Sequence, residues 1–287
     1  MFMLFRSLFV SLSTPFLLLG EAPKLVLQIT VDQLRGDQLT RFVDRMPEGG
    51  FRYFLDQGVV FADAHHPHAN TETIVGHATL ATGAYPSIHG MIGNVWYDRE
   101  SGQTTYNIED SNYALLTADA DVDDANEIDP TQRVANTDGR SPMALLSSTF
   151  ADELAVRTVG QAKIFGVSVK DRGAVSMAGH AGKAFWFSKQ AGEFVTSTYY
   201  YDAYPDWVLE WNASGPTKPY AGQFWTLLNE RSSYLYADRD DQEWETALPG
   251  FGRTFPHAFG SADSRGFTTY LTLSPAGDQM TLSLPRL

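Results

Sequence analysis

The sequence predicts an α/β fold: a doubly wound, mostly parallel sheet with helices on both faces and β-hairpin insertions. Two continuous apolar runs, "KLVLQITVDQ" (24–33) and "AKIFGVSVKD" (162–171), read as buried parallel strands. Helical segments alternate with such runs along the chain, which is the pattern of helices covering a parallel sheet. Hairpin signals interrupt the alternation twice.

The elements follow in order. The run 24–33 ends as a strand near Asp32. "GGFRYFLDQG" (49–58) reads as a short helix stopped by glycine, and "VVFADAHH" (59–66) as a returning strand. "HANTETIVGHATLATG" (68–83) is polar and threonine-rich first, then small and apolar; it predicts a helix over 73–82, ended by Gly83 and Pro86. "NVWYDRESGQTTY" (94–106) predicts a hairpin turning at Glu100 to Gly102. The acid-rich stretch Asp119 to Asp129 reads as a solvated loop. "SPMALLSSTFADELAV" (141–156) predicts a helix with Ser141 as N-cap and Pro142 in its first turn. The second strand ends at Lys170, and "AFWFSKQAGEFVTSTYY" (184–200) predicts a hairpin turning at Gln190 to Gly192. The remainder is aromatic and loop-rich.

Composition narrows the function. The 287 residues carry a formal net charge of -13, which speaks against nucleic-acid binding, because phosphate contacts need a basic face. There is no cysteine, so thiolate catalysis, disulfides and cysteine zinc sites are excluded. The N-terminal 1–22, with Arg6 before the apolar run Leu8 to Leu19, reads as a signal peptide cleaved near Gly20 to Ala22. Pro15 and the shortness of the run argue against a stable membrane span. A bacterial periplasmic or secreted location is the expectation.

In doubly wound sheets ligands bind beyond the carboxyl ends of strands. Asp32, Thr73 and Lys170 all fall at such ends or in the turns after them. Thr73 stands in the first turn of its helix, where free N–H groups favour an anion; Thr71 or Thr73 as a simple helix cap is the other reading. Lys170 and Arg172 alternate on what reads as a strand end and so point the same way, suiting a phosphoryl or carboxylate group; a solvated face is the other reading. His77 reads as a packing residue of its helix, and His65, His66 and His68 as the rim of a pocket rather than as ligands.

Together, "ITVDQLRGD", "TETIVGHATLATGAYPSIHGMIGNVWYD" and "SVKDRGAVSMAGH" resemble the alkaline phosphatase superfamily. The nearest likeness is to bacterial alkaline phosphatases with a threonine nucleophile, relatives of the type I phosphodiesterase/nucleotide pyrophosphatases. The resemblance implies a zinc-dependent phosphate monoester hydrolase with two zinc ions and a phosphothreonine intermediate. It implies Thr73 as nucleophile, Asp32 and Thr73 as zinc ligands, and Asn94, Lys170 and Arg172 as holders of phosphoryl oxygens. The Lys/Arg pair favours monoesters; a phosphodiesterase or nucleotide pyrophosphatase, or a non-catalytic phosphate-binding remnant, are the alternatives. The family's further zinc ligands, a D-x-x-x-H motif and an adjacent Asp-His pair, have no counterpart in the sequence, and its last histidine is His257. The expectation is therefore that 23–287 form the N-terminal part of an alkaline phosphatase-like domain, shortened at its C-terminus.

Overall fold

The computed structural model describes residues 23–120 and 127–284. The expected signal peptide lies outside them, as do 121–126 of the acidic stretch. The chain divides into two units, one ending at Tyr53 and one beginning at Phe54. Among the described residues no helix is long and apolar enough to cross a membrane.

The helices are α1 (Gln38–Arg41), α2 (Phe51–Gln57), α3 (Thr73–Thr82), α4 (Pro86–His89), α5 (Phe150–Arg157), α6 (Asp171–Ala178), α7 (Asp206–Ala213), α8 (Phe267–Thr272) and α9 (Pro275–Ser283). The strands are β1 (Val95–Asp98), β2 (Gln103–Tyr106), β3 (Phe165–Ser168), β4 (Lys183–Ser188), β5 (Glu193–Val195), β6 (Phe224–Trp225) and β7 (His257–Ala258). β1 and β2 form the expected hairpin, and β6 pairs antiparallel with β7. The central sheet runs β3-β4-β5, with β3 parallel to β4 through the crossover helix α6 and β5 antiparallel to β4.

Alternation along β4 places helices on both sides of this sheet. Ala184 and Trp186 enter one core, with Ile74, Val75 and Ala78 of α3 and Ala174, Val175 and Ala178 of α6. Phe185 and Phe187 point the other way, into a second core with Phe194, Val208, Trp211, Leu271 and Met280. The small residues of α3 and α6 let the helices approach closely. Gly166 does the same for β3 and α6: a Cβ there would lie 2.3 Å from the Ala174 carbonyl oxygen. α3 ends as expected, with Gly83 at φ 65 donating its N–H to Thr79 O.

Five expectations fail locally, each for a physical reason. The run 24–33 forms no strand and ends in a turn at Asp32 and Gln33, and 59–66 forms no strand either; Leu25 is 78% and Phe61 81% exposed. A continuous apolar run becomes a parallel strand only when both its faces are covered, and these are not. The helix expected over 141–156 starts only at Phe150, because Thr149 and Asp152 make a reciprocal capping box there. Ser141 instead closes a turn, accepting Met143 N–H and donating to Asp110. Lys170 and Arg172 are not on a strand end: Lys170 is the N-cap residue of α6 and Arg172 lies in its first turn. The end of the acidic stretch is not solvated, since Glu127 is 2% exposed and Asp129 is tied to cations.

Asp152 joins three segments. Its carboxylate accepts Thr149 N–H, His180 N–H and Ala181 N–H, and pairs with His180 Nδ1 at 2.9 Å, while His180 Nε2 lies 3.0 Å from Leu145 O. Burial raises the Asp152 carboxyl, but the bonds from His180, Thr149 and Ala181 outweigh it and hold the group well below the usual range. The bond to Asp152, against burial, raises His180. The Asp152 contribution is therefore present above the unfolded carboxyl value of about 4 and lost as pH falls below it. The His180 contribution is present below about 6.5 and lost as pH rises through the raised folded value. Stability from this pair peaks between those limits. In urea midpoints measured against pH, Asp152→Asn is expected to flatten the acid limb and His180→Gln the alkaline limb; profiles parallel to the parent's contradict this.

Candidate functional site

Thr73 is the first residue of α3, half-buried, and the cap position before it belongs to Glu72, which gives no side-chain cap. The simple capping role thus falls to neither threonine. Asn94 takes it over in space: its Oδ1 accepts the Ile74 N–H at 3.1 Å. Because a backbone N–H donates to that atom, it is the oxygen, and the amide orientation is fixed. The Asn94 NH2 group has no partner among the described residues. Glu72 Oε2 accepts the Asn94 N–H at 2.5 Å, which locks the residue after Gly93 against the start of α3. His77 packs in the helix with Nδ1 2.8 Å from Thr73 O.

Lys170 and Arg172 converge, although from a helix start rather than a strand. Both reach Asp129 Oδ2, Lys170 Nζ at 3.2 Å and Arg172 NH1 at 2.8 Å. Arg172 is only 6% exposed, which rules out a solvated face for it. Burial raises the Asp129 carboxyl, but Lys170 and Arg172 more than reverse this and hold it far below the usual range. Behind them, buried Glu127 pairs with both Lys170 and Lys189. Burial and the charge on Lys170 push Lys189 down to about 8 against the pull of Glu127.

A buried network orients Arg172. Asp171 takes Arg140 Nε at 2.8 Å, Tyr106 OH at 2.7 Å and the Arg172 N–H at 2.8 Å. Tyr106 OH in turn accepts from Arg172 NH1 at 3.3 Å. The neighbouring residue, Asn107, donates Nδ2 to Asn94 O at 2.7 Å. Two consecutive residues at the end of β2 therefore hold Arg172 and Asn94. None of Tyr106, Asn107, Asp129, Glu127, Arg140 and Asp171 was singled out by sequence, because the pairings span long separations, 65 residues for Tyr106 and Asp171.

Asp32 sits in an exposed turn of the first unit, with Oδ1 accepting the Gln33 N–H at 3.0 Å. His65 pairs with exposed Asp63 at 2.9 Å, and His66 stacks at a tilt beside His68. His68 and His89, the latter fully buried, both lie 3.1 Å from Thr79 Oγ1 beneath α3. The zinc implied by the sequence needs about three protein donors per catalytic ion. Among the described residues no three His, Asp or Glu side chains group to hold a metal. The described donors do not fit a two-zinc centre.

Residues 26–254 match the family model described as type I phosphodiesterase / nucleotide pyrophosphatase. The chain is 35% identical over 265 residues to alkaline phosphatase PafA of Elizabethkingia meningoseptica, and 32% over 266 residues to alkaline phosphatase PhoV of Synechococcus elongatus. These alignments cover 91% and 92% of this chain but 46% of each relative, so the chain spans about half the length of the relatives it matches. The crystal structure of PafA superposes with a TM-score of 0.75 at 32% identity, over 88% of this chain and 46% of that one. A solved PafA variant, with a threonine, an asparagine, a lysine and an arginine replaced, gives 0.76 at 31%, over 88% and 47%. Its threonine-to-asparagine and lysine-to-arginine separations equal those of Thr73 to Asn94 and Lys170 to Arg172, whereas the asparagine-to-lysine interval is longer in this chain. The fold is alkaline phosphatase-like, and the chain belongs to the type I phosphodiesterase/nucleotide pyrophosphatase family of phosphoester hydrolases.

Proposed function

We propose that this chain carries the phosphoryl-binding side of a phosphate monoester hydrolase, with Thr73 as the attacking residue and Asn94, Lys170 and Arg172 holding the phosphoryl oxygens. The observation that carries the reading is the pair Tyr106 and Asn107, whose bonds tie Arg172 and Asn94 into one construction beside the start of α3. The four residue types replaced in the PafA variant, at matching separations within each pair, support it. A phosphoryl group here would meet the Asn94 NH2 and two cations, the charge-assisted donors such a group needs. The first turn of α3 adds backbone N–H groups beside Thr73. Attack by Thr73 Oγ1, its proton passing to solvent, would form a P–O bond to the threonine as the P–O bond to the ester oxygen breaks and the alcohol leaves with a proton. Water would then attack phosphorus, restoring the Thr73 hydroxyl and releasing inorganic phosphate. Asp32 would supply one carboxylate toward the zinc that the family resemblance implies, a part of a metal site that the described donors do not complete. Export to the periplasm or beyond rests on the apolar N-terminal run alone.

Two cations suit a monoester dianion; the family's name gives phosphodiesters as the second reading. The test is hydrolysis of an aryl phosphate and a bis-aryl phosphate by the full chain with zinc supplied, alongside Thr73→Ala. Monoester turnover that falls at least about 10³-fold in the variant is expected, the scale of losing a nucleophile. Equal rates in the two proteins would sink the nucleophile role. A faster diester reaction assigns a phosphodiesterase, and phosphate binding without turnover assigns a non-catalytic remnant.

A further inference from the structure

We infer that Asp129 is an internal ligand of the Lys170–Arg172 cation pair, standing where a phosphoryl oxygen would stand, so that an anion binds this chain by displacing it. The inference rests on the phosphoryl-site reading above. A single oxygen, Oδ2, takes Lys170 Nζ at 3.2 Å and Arg172 NH1 at 2.8 Å. One anionic oxygen shared by two cations is how such a pair grips a non-bridging phosphoryl oxygen.

The segment bearing Asp129 is fastened for this position. Its N–H donates to Glu127 Oε1 at 2.7 Å, and Oδ1 accepts Thr131 N–H and Oγ1–H at 3.0 and 2.6 Å. Gln132 Oε1 accepts a further bond from Lys170 Nζ at 3.1 Å, and Glu127 is anchored by Lys189. Asp129 also lies within the stretch between Asn94 and Lys170 that is longer here than in PafA.

A second observation points to an outside ligand. Arg172 Nε is buried and has no hydrogen-bond partner among the described residues. The carboxylate engages the guanidinium through NH1 alone, because its other oxygen is spent on Thr131. A tetrahedral oxyanion carries enough acceptors to meet Lys170, NH1 and Nε together. The exchange therefore replaces a ligand that leaves a donor unmet by one able to satisfy it.

The test is calorimetric titration of inorganic phosphate into the full chain, into Asp129→Asn, and into the Lys170→Ala/Arg172→Ala double variant. Asp129→Asn is expected to bind phosphate at least tenfold more tightly than the parent, and the double variant to lose binding. Asp129→Ala and Glu127→Gln, which loosen the same segment by different means, are expected to shift affinity in the same direction, with far-UV circular dichroism confirming that each is folded. Unchanged or weaker binding in Asp129→Asn, with binding still lost in the double variant, overturns the inference and leaves the phosphoryl site standing. Binding in the double variant equal to the parent's, or no binding by any form, overturns both.

Discussion

Replacing Asp171 by alanine is expected to destabilise the fold by about 3–5 kcal/mol, the cost of breaking a buried ion pair from one side. Arg140 is 2% exposed and its Nε donates to Asp171 Oδ2 at 2.8 Å. Without Asp171 that buried charge loses this ion pair, and Tyr106 OH loses its acceptor. Burial raises the Asp171 carboxyl, yet Arg140 reverses this and keeps it ionised. Domains of this kind hold only about 5–15 kcal/mol in total, so the variant should unfold at a much lower urea concentration. Removing both partners, as Asp171→Leu with Arg140→Met, should recover most of the loss, since apolar replacement of a whole buried pair is often neutral. A single-variant loss under about 1 kcal/mol would mean that the network is no more than a surface pair in effect.

The second large effect concerns anion binding. Lys170→Ala with Arg172→Ala removes two charge-assisted donors, each worth about 1.5–3 kcal/mol. At about 1.4 kcal/mol per tenfold, phosphate affinity should fall by roughly 10²–10⁴. Arg172→Lys should not restore it, because an ammonium on a flexible stem cannot reproduce a guanidinium held by Tyr106 and Asp129. Titration of phosphate into these variants measures the effect directly. Recovery of parental affinity in Arg172→Lys would show that only net charge matters at this position.

How far the sequence alone reached follows from the range of the forces involved. Local signals were legible: α3 runs over 73–82 with its Gly83 stop, the 94–106 hairpin turns where expected, and β3 precedes the Lys170 turn. The runs 24–33 and 59–66 form no strand, because apolar content reports a demand for burial and not whether a neighbour meets it. Lys170 and Arg172 do converge, but not by the alternation of a strand, which ends at Ser168. Their real meeting point is Asp129, more than forty residues upstream, inside a stretch that reads as solvated acid. Nothing local distinguishes a carboxylate that will be buried against cations from one that will face water. Asn94 was reached through resemblance, and its capping of α3 and its grip by Asn107 needed coordinates.

In the proposed site Thr73, Asn94, Lys170 and Arg172 face one phosphoryl group. A crystal structure of the chain grown with saturating orthovanadate or phosphate tests it most directly. The expected result is the anion with its oxygens on Asn94 Nδ2, Lys170 Nζ and the Arg172 guanidinium, its central atom facing Thr73 Oγ1, and Asp129 withdrawn from the cations. An anion bound elsewhere, with Asp129 still bridging Lys170 and Arg172, would contradict it.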